Sequence, residues 1–164
     1  MTTYRVGVLT ISDKGSVGER EDLSGPAIRE VMERAGGTVV QVLVIPDERD
    51  VIAQTLADWC DSRGLDLVLT TGGTGLAARD VTPEATLSIL EKEAPGIAEA
   101  LRGESMRVTP MAMLSRGVAG TRGMTLIVNL PGSPKAVREC LAVLVPVLPH
   151  AIETLRGPVE EHPR

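Results

Sequence analysis

Four aliphatic runs constrain this chain more than any other feature: Arg5 to Ser12 (RVGVLTIS), Thr38 to Ile45 (TVVQVLVI), Asp66 to Thr71 (DLVLTT) and a last one ending in TLIVN at Asn129. Their apolar residues are continuous rather than alternating, and amphipathic stretches lie between them. Strands buried on both faces read this way, and a parallel sheet covered by helices on each side supplies the burial. The intervening helices follow. Ser24 to Ala35 has Ser24 as a hydroxyl cap, Pro26 in the first turn and Gly36-Gly37 as the stop. Asp50 to Ser62 is apolar at 52, 56, 59 and 60 and ends at Gly64. Thr82-Pro83-Glu84 reads as a start, with a hydroxyl cap, a proline at the first position and an acid in the first turn. Further helices run from Pro95 to about Met106 and from Ser133 to Val145, the latter extended or restarted over Pro149 to Leu155. Gly117 to Asn129 holds two short strands around Arg122-Gly123. The expected fold is α/β: three layers, α/β/α, with a mostly parallel central sheet. One domain spans residues 1–156, with a frayed tail at 157–164.

The aromatic residues are Tyr4 and Trp59, with no Phe, so the core is aliphatic and base-stacking platforms are not expected. A formal charge of -5 speaks against a protein that binds a phosphate backbone, whose signature is a basic face. An anionic small substrate stays open, through local basic residues or a metal ion. No window approaches the roughly 18 consecutive apolar residues of a membrane helix, and the first ten residues lack a secretory signal. Cys60 and Cys140 suit neither a disulfide framework nor a zinc site and sit in helical apolar patterns, as buried thiols do. The expectation is a soluble cytoplasmic domain.

The polar residues are informative by position. The first run ends in Ser12-Asp13, the second in Pro46-Asp47-Glu48, the third in Thr70-Thr71-Gly72-Gly73-Thr74-Gly75, and the last in Asn129, Pro131, Gly132 and Ser133. In an open parallel sheet these ends share one edge, where such folds bind ligands. Gly73 to Ala78 formally matches G-x-G-x-x-A, yet the helix signal comes only at Thr82, too late to present its N-terminus to a pyrophosphate. No P-loop motif occurs, and His150 and His162 lie away from the loops. What remains is a wide glycine loop able to wrap an extended anion with backbone N–H groups. Asp47 and Asp80 end neighbouring strand-loop segments and are placed to hold hydrated Mg²⁺, which takes one or two carboxylates together with substrate phosphates.

In combination, ISD (11–13), IPDE (45–48), TTGGTG (70–75) with RDVTPEAT (79–86), LSR (114–116) and NLPGSPKAV (129–137) resemble the MogA/MoaB family, the molybdopterin adenylyltransferases that include the gephyrin G domain. The resemblance spans nearly the whole chain. It implies the molybdopterin-binding fold and the reaction of molybdopterin with ATP to give adenylylated molybdopterin and pyrophosphate, with Mg²⁺. Asp47 and Asp80 would position Mg²⁺ and the reacting phosphate. Thr70 to Gly75 would cradle phosphates or the pterin, Ser12 and Asp13 would line the same edge, and Ser115, Arg116, Ser133 and Lys135 would be anion contacts. The resemblance implies that adenylylating members keep both aspartates, as this chain does, whereas some members of the non-adenylylating branch depart from one or both; a non-catalytic pterin-binding or scaffold role (MoaB-like) is the alternative. The resemblance further implies a homotrimer and a separate molybdate-insertion protein downstream. Arg79 is open between a surface role and a role beside Asp80. Residues 19–22 read as a mobile, solvated loop, or as one that closes over a ligand. Met106, Met111 and Met113 read as core or subunit-contact filler, and AVRECLAVLVPVL (136–148) as a helix apolar on nearly every side.

Overall fold

The computed structural model describes residues 3–158. Its strands are β1 (Tyr4–Ile11), β2 (Gly37–Ile45), β3 (Leu67–Thr71), β4 (Lys92–Glu93), β5 (Ala119–Arg122) and β6 (Thr125–Leu130), joined in one sheet of order β2-β1-β3-β6-β5-β4. The β1–β2, β1–β3 and β3–β6 pairings are parallel, and the β5–β6 and β4–β5 pairings are antiparallel. The helices are α1 (Asp13–Ser16), α2 (Ser24–Arg34), α3 (Arg49–Ser62), α4 (Thr82–Ile89), α5 (Pro95–Met106), α6 (Pro134–Leu144) and α7 (Leu148–Arg156), with 3₁₀ turns at Pro110–Leu114 and Val145–Val147. Among the described residues no helix is long and apolar enough to cross a membrane.

Strand periodicity distributes the aliphatic side chains between two cores. Val6, Val8, Leu67, Leu69, Leu126 and Val128 face α2, α5, α6 and α7, where Ile28, Met32, Leu101, Leu141 and Leu144 meet them. Leu9, Ile11, Val68 and Ile127 face the opposite layer, against Ile52, Leu56 and Trp59 of α3 and Ala85 of α4. Burying one such side chain is worth about 1.5–3 kcal/mol, so these two faces hold the helical layers against the sheet.

Several local readings change. Neither Ser24 nor Thr82 caps a helix. Ser24 Oγ donates to Gly132 O at 2.6 Å and Thr82 Oγ1 donates to Gly72 O at 3.0 Å, both far along the chain, and it is Asp22 Oδ1 that accepts from Gly25 N at the start of α2. β2 is an edge strand and is not buried on both faces: Val40, Val42 and Leu43 are 39%, 46% and 41% exposed. The helix expected to be apolar all round is amphipathic, with Val137, Cys140, Leu141 and Leu144 buried and Lys135, Arg138 and Ala142 outward. Met106, Met111 and Met113 are exposed, which removes the core reading. His162 and the tail from residue 159 lie outside the described residues.

Candidate functional site

Because β2, β1, β3 and β6 run parallel, their carboxyl ends meet at one edge. The loop after β3 turns there through left-handed backbone, with φ +97 at Gly72 and +69 at Gly73. Glycine alone adopts these angles without strain. At Gly73 the space is closed as well, since a Cβ would overlap Thr82 Oγ1 and lie 3.1 Å from Asp47 Oδ1. The loop is anchored to α4, whose Thr82 N donates to Gly73 O at 3.1 Å.

The acidic residues lock together through main chain. Asp47 Oδ2 accepts from Asp13 N at 2.8 Å, and Asp13 Oδ1 accepts from Asp47 N at 3.0 Å. Arg79 then grips Asp13 with two donors, Nε to Oδ2 at 3.0 Å and Nη2 to Oδ1 at 2.9 Å, and reaches Glu48 Oε1 at 2.9 Å. Arg79 is therefore no idle surface residue. Its hydrogen bond holds the Asp13 carboxyl below its ordinary range, and Asp13 serves as a strut between strands. Asp47 is shifted the other way. Burial pushes its carboxyl up, and the neighbouring charges of Asp13 and Asp80 add to the rise. Asp80 Oδ2 accepts from Ala77 N at 2.9 Å. Asp47 and Asp80 thus each spend one oxygen on a backbone N–H and keep Oδ1 without a hydrogen-bond partner among the described residues. Those residues hold no group of three or more His, Cys, Asp or Glu side chains suited to a metal. Two carboxylates with free oxygens fit an ion that completes its shell with water and substrate phosphate.

Two cavities flank the loop, of about 440 Å³ and about 400 Å³. Both fall in the range of small-molecule sites. Gly73, Asp80 and Gly132 line both and form the wall between them. The larger is walled by Ala98, Leu101, Met111 and Leu114, with Arg102 and Cys140 among its lining. The smaller is walled by Ser12, Asp22, Ser24, Asp47 and Thr71, with Arg20 at its side.

The candidates read from sequence separate into lining and frame. Thr74, Gly75, Ser115, Asn129 and Pro131 line the larger cavity; Ser12, Thr71 and Gly72 line the smaller. Thr70 is fully buried and lines neither. The Asn129 amide is spent inside, Nδ2 donating to Thr70 Oγ1 at 3.0 Å and Thr86 Oγ1 at 3.1 Å while Oδ1 accepts from Val118 N at 3.2 Å. Ser133 caps α6, accepting from Ala136 N at 3.1 Å. Lys135 is 81% exposed, lies 4.0 Å from Glu139, and lines neither cavity. Arg116 lines neither either. Its guanidinium is taken by Gly75 O, Asp80 O and Glu84. The basic residues that do line the cavities are Arg102, which the sequence reading missed, and Arg20, which falls in the 19–22 loop read as solvated or as closing over a ligand. Arg102 Nη1 donates to Gly117 O at 2.8 Å and Ser115 O at 3.3 Å, leaving Nε and Nη2 without partners among the described residues. No local sequence signal marks Arg102, because only the packing of α5 brings it to the edge. Residues 20–22 line the smaller cavity, and Asp22 Oδ2 accepts from Thr10 Oγ1 at 2.8 Å, so this loop is tied to β1.

The family described as "Probable molybdopterin binding domain" matches residues 7–150. A protein of Helicobacter pylori named molybdopterin adenylyltransferase is 45% identical over 159 residues, covering 96% of this chain and 90% of its own. One of the same name from Escherichia coli K12 is 41% identical, covering 98% and 90%. The crystal structure of the molybdopterin biosynthesis enzyme MoaB of Thermus thermophilus is 55% identical and superposes with a TM-score of 0.89 over 94% of this chain and 98% of that one.

Proposed function

The chain belongs to the molybdopterin-binding family of molybdenum cofactor biosynthesis, and from that premise we propose that it adenylylates molybdopterin with ATP in a Mg²⁺-dependent reaction. The observation that carries the reading is the pair of similar cavities sharing Gly73, Asp80 and Gly132. A transfer between two substrates needs two adjoining seats whose common border lets the reacting atoms come within about 3–3.5 Å of each other.

A phosphate oxygen of molybdopterin attacks the α-phosphorus of ATP; the new P–O bond forms as the α–β bridging bond breaks, and pyrophosphate leaves with that bridging electron pair. The attacking phosphomonoester is already ionised near neutral pH, its second pKa being about 6, so no histidine is needed as a base. Asp47 and Asp80 would hold Mg²⁺ through their free oxygens, and the ion, when bound, offsets the negative charge of the phosphates. Gly72 N donates to Leu130 O at 3.3 Å, so the backbone N–H groups of Gly73, Thr74 and Gly75 are those that would orient the phosphates, and preorganised donors of this kind lower the barrier without covalent chemistry.

The test is purified protein with molybdopterin, ATP and Mg²⁺, measuring adenylylated product and pyrophosphate together. The second reading is pterin binding without turnover. Binding without pyrophosphate release would select it. We further infer a homotrimer, with molybdate insertion left to a separate protein. Physical support for the oligomer is the exposed Val40, Val42, Leu43 and Met113 rather than α6. Light scattering giving a monomer mass rejects this, and a dimer mass keeps an oligomer but not the trimer.

A further inference from the structure

We propose that Arg116 and Glu84 form a positioning pair that sets where the Asp80 carboxylate stands in the wall between the two cavities. The kinetic part of the proposal rests on the adenylyl-transfer reading above; the structural part does not. Arg116 uses its planar fork in three directions. Nε donates to Gly75 O at 2.8 Å, Nη2 donates to Asp80 O at 2.8 Å, and Nη1 meets Glu84 Oε1 on the first turn of α4. Its own backbone N donates to Thr74 O at 2.8 Å. Both ends of the Gly75–Asp80 loop are therefore fastened to one side chain, and Glu84 fastens that side chain to a helix. The neighbouring residues Leu114, Ser115 and Gly117 line the larger cavity. The chain that closes that cavity thus also holds the shared aspartate. An ammonium group cannot copy this, because it lacks the fixed fork that serves separated acceptors at once.

The variants Arg116→Gln, Arg116→Lys, Glu84→Gln and the double Arg116→Gln/Glu84→Gln separate this role from two others. Amide hydrogen exchange of the apo protein is read first. Exchange across residues 74–80 should rise about tenfold or more in Arg116→Gln and Glu84→Gln, with β3 and β6 unchanged, since a loop opens locally at lower free energy than a core strand. In the adenylylation assay kcat should fall about 30-fold and half-saturation in Mg²⁺ should rise, with both substrate KM values within about threefold, as misplacing a reacting group by an ångström predicts. The double variant should be no worse than Arg116→Gln alone, because the two side chains act as one unit. Arg116→Lys should recover only part. A raised KM for one substrate with unchanged loop exchange would make Arg116 an anion contact instead, and Glu84→Gln, by freeing it, would then tighten that substrate. Lower melting temperatures with kcat intact would reduce the pair to a structural one. If the wild type makes no product, the adenylyl-transfer reading fails, and loop exchange still decides the clamp. If Arg116→Gln does not fold, Arg116→Lys and Glu84→Gln carry the same comparison.

Discussion

The two cavities beside the glycine loop have nearly equal volume, about 440 and 400 Å³, and differ in the balance of their linings. The larger is walled mainly by aliphatic side chains and Met111, with Glu139 and Arg102 in its lining, and Arg102 keeps Nε and Nη2 without partners among the described residues. The smaller is walled by hydroxyls and carboxylates, with Asp47 on its side alone and Asp80 facing both. The difference is a division of labour. An apolar seat with one fixed cation suits a flat ring bearing an anionic group, and a seat rich in oxygen suits phosphates that arrive with a divalent ion.

The largest effect should come from the aspartates. Asp80→Asn and Asp47→Asn should each lower turnover by about 10²–10³-fold, since an amide does not replace a charged metal ligand at a phosphate. Melting temperature should barely move, because an amide oxygen still accepts from Ala77 N or Asp13 N, and Asp47→Asn also removes a charge that burial disfavours. Near-normal turnover of Asp47→Asn beside a dead Asp80→Asn would break the assignment of the smaller cavity to the metal.

Gly73→Val comes next. It should reduce turnover by about 100-fold and destabilise the protein by about 1–3 kcal/mol, the strain of a non-glycine residue at positive φ. The added branches block close backbone approach, so ligand binding should weaken more than folding. The overlap with Thr82 Oγ1 adds a folding term. Thermal melts beside binding isotherms measure both, and a stability loss with unchanged affinity would make the loop structural.

Arg102→Gln should raise KM for one substrate about tenfold, the scale of a hydrogen bond to a charged group, and leave the other within about twofold. Steady-state kinetics with each substrate varied in turn checks this. Equal rises for both would erase the distinction between the cavities. The smallest effect concerns Cys140. Occupancy of the larger cavity should slow its alkylation about threefold while Cys60 is unaffected, because thiols react through exposed thiolate. Burial raises both thiols, Cys60 to about 11, so the comparison is made at alkaline pH by mass spectrometry. Equal protection of both would place the ligand elsewhere.

The sequence was most legible where one local pattern decides the outcome. Continuous aliphatic runs gave β1, β3 and β6, and Pro95 gave the start of α5. It misled where a side chain serves a distant partner. Ser24 and Thr82 look like caps, yet their hydroxyls go to carbonyls after β6 and β3. Arg116 and Lys135 lie in motifs whose family resemblance implies anion contacts, while Arg102 sits in an ordinary helix. Whether a cation is free depends on which carboxylates and carbonyls the fold delivers to it, and spacing along the chain does not encode that. The four-residue α1 and the two-residue β4 are likewise too short to carry a periodic signal.

The buried amide of Asn129 has a consequence for how the sheet finds its alignment. Aliphatic parallel strands are chemically repetitive, so a slipped pairing of β3 and β6 still buries Val, Leu and Ile. Asn129 ends that tolerance. In register it stands beside Thr70 and reaches Thr86 and Val118. A shift by one residue would turn it to the opposite face, and the stranded amide would cost about 1–3 kcal/mol. It acts as a checksum on strand alignment. Because the glycine loop and Pro131-Gly132 begin directly after these two strands, a correct reading there also brings the two halves of the shared wall level with each other.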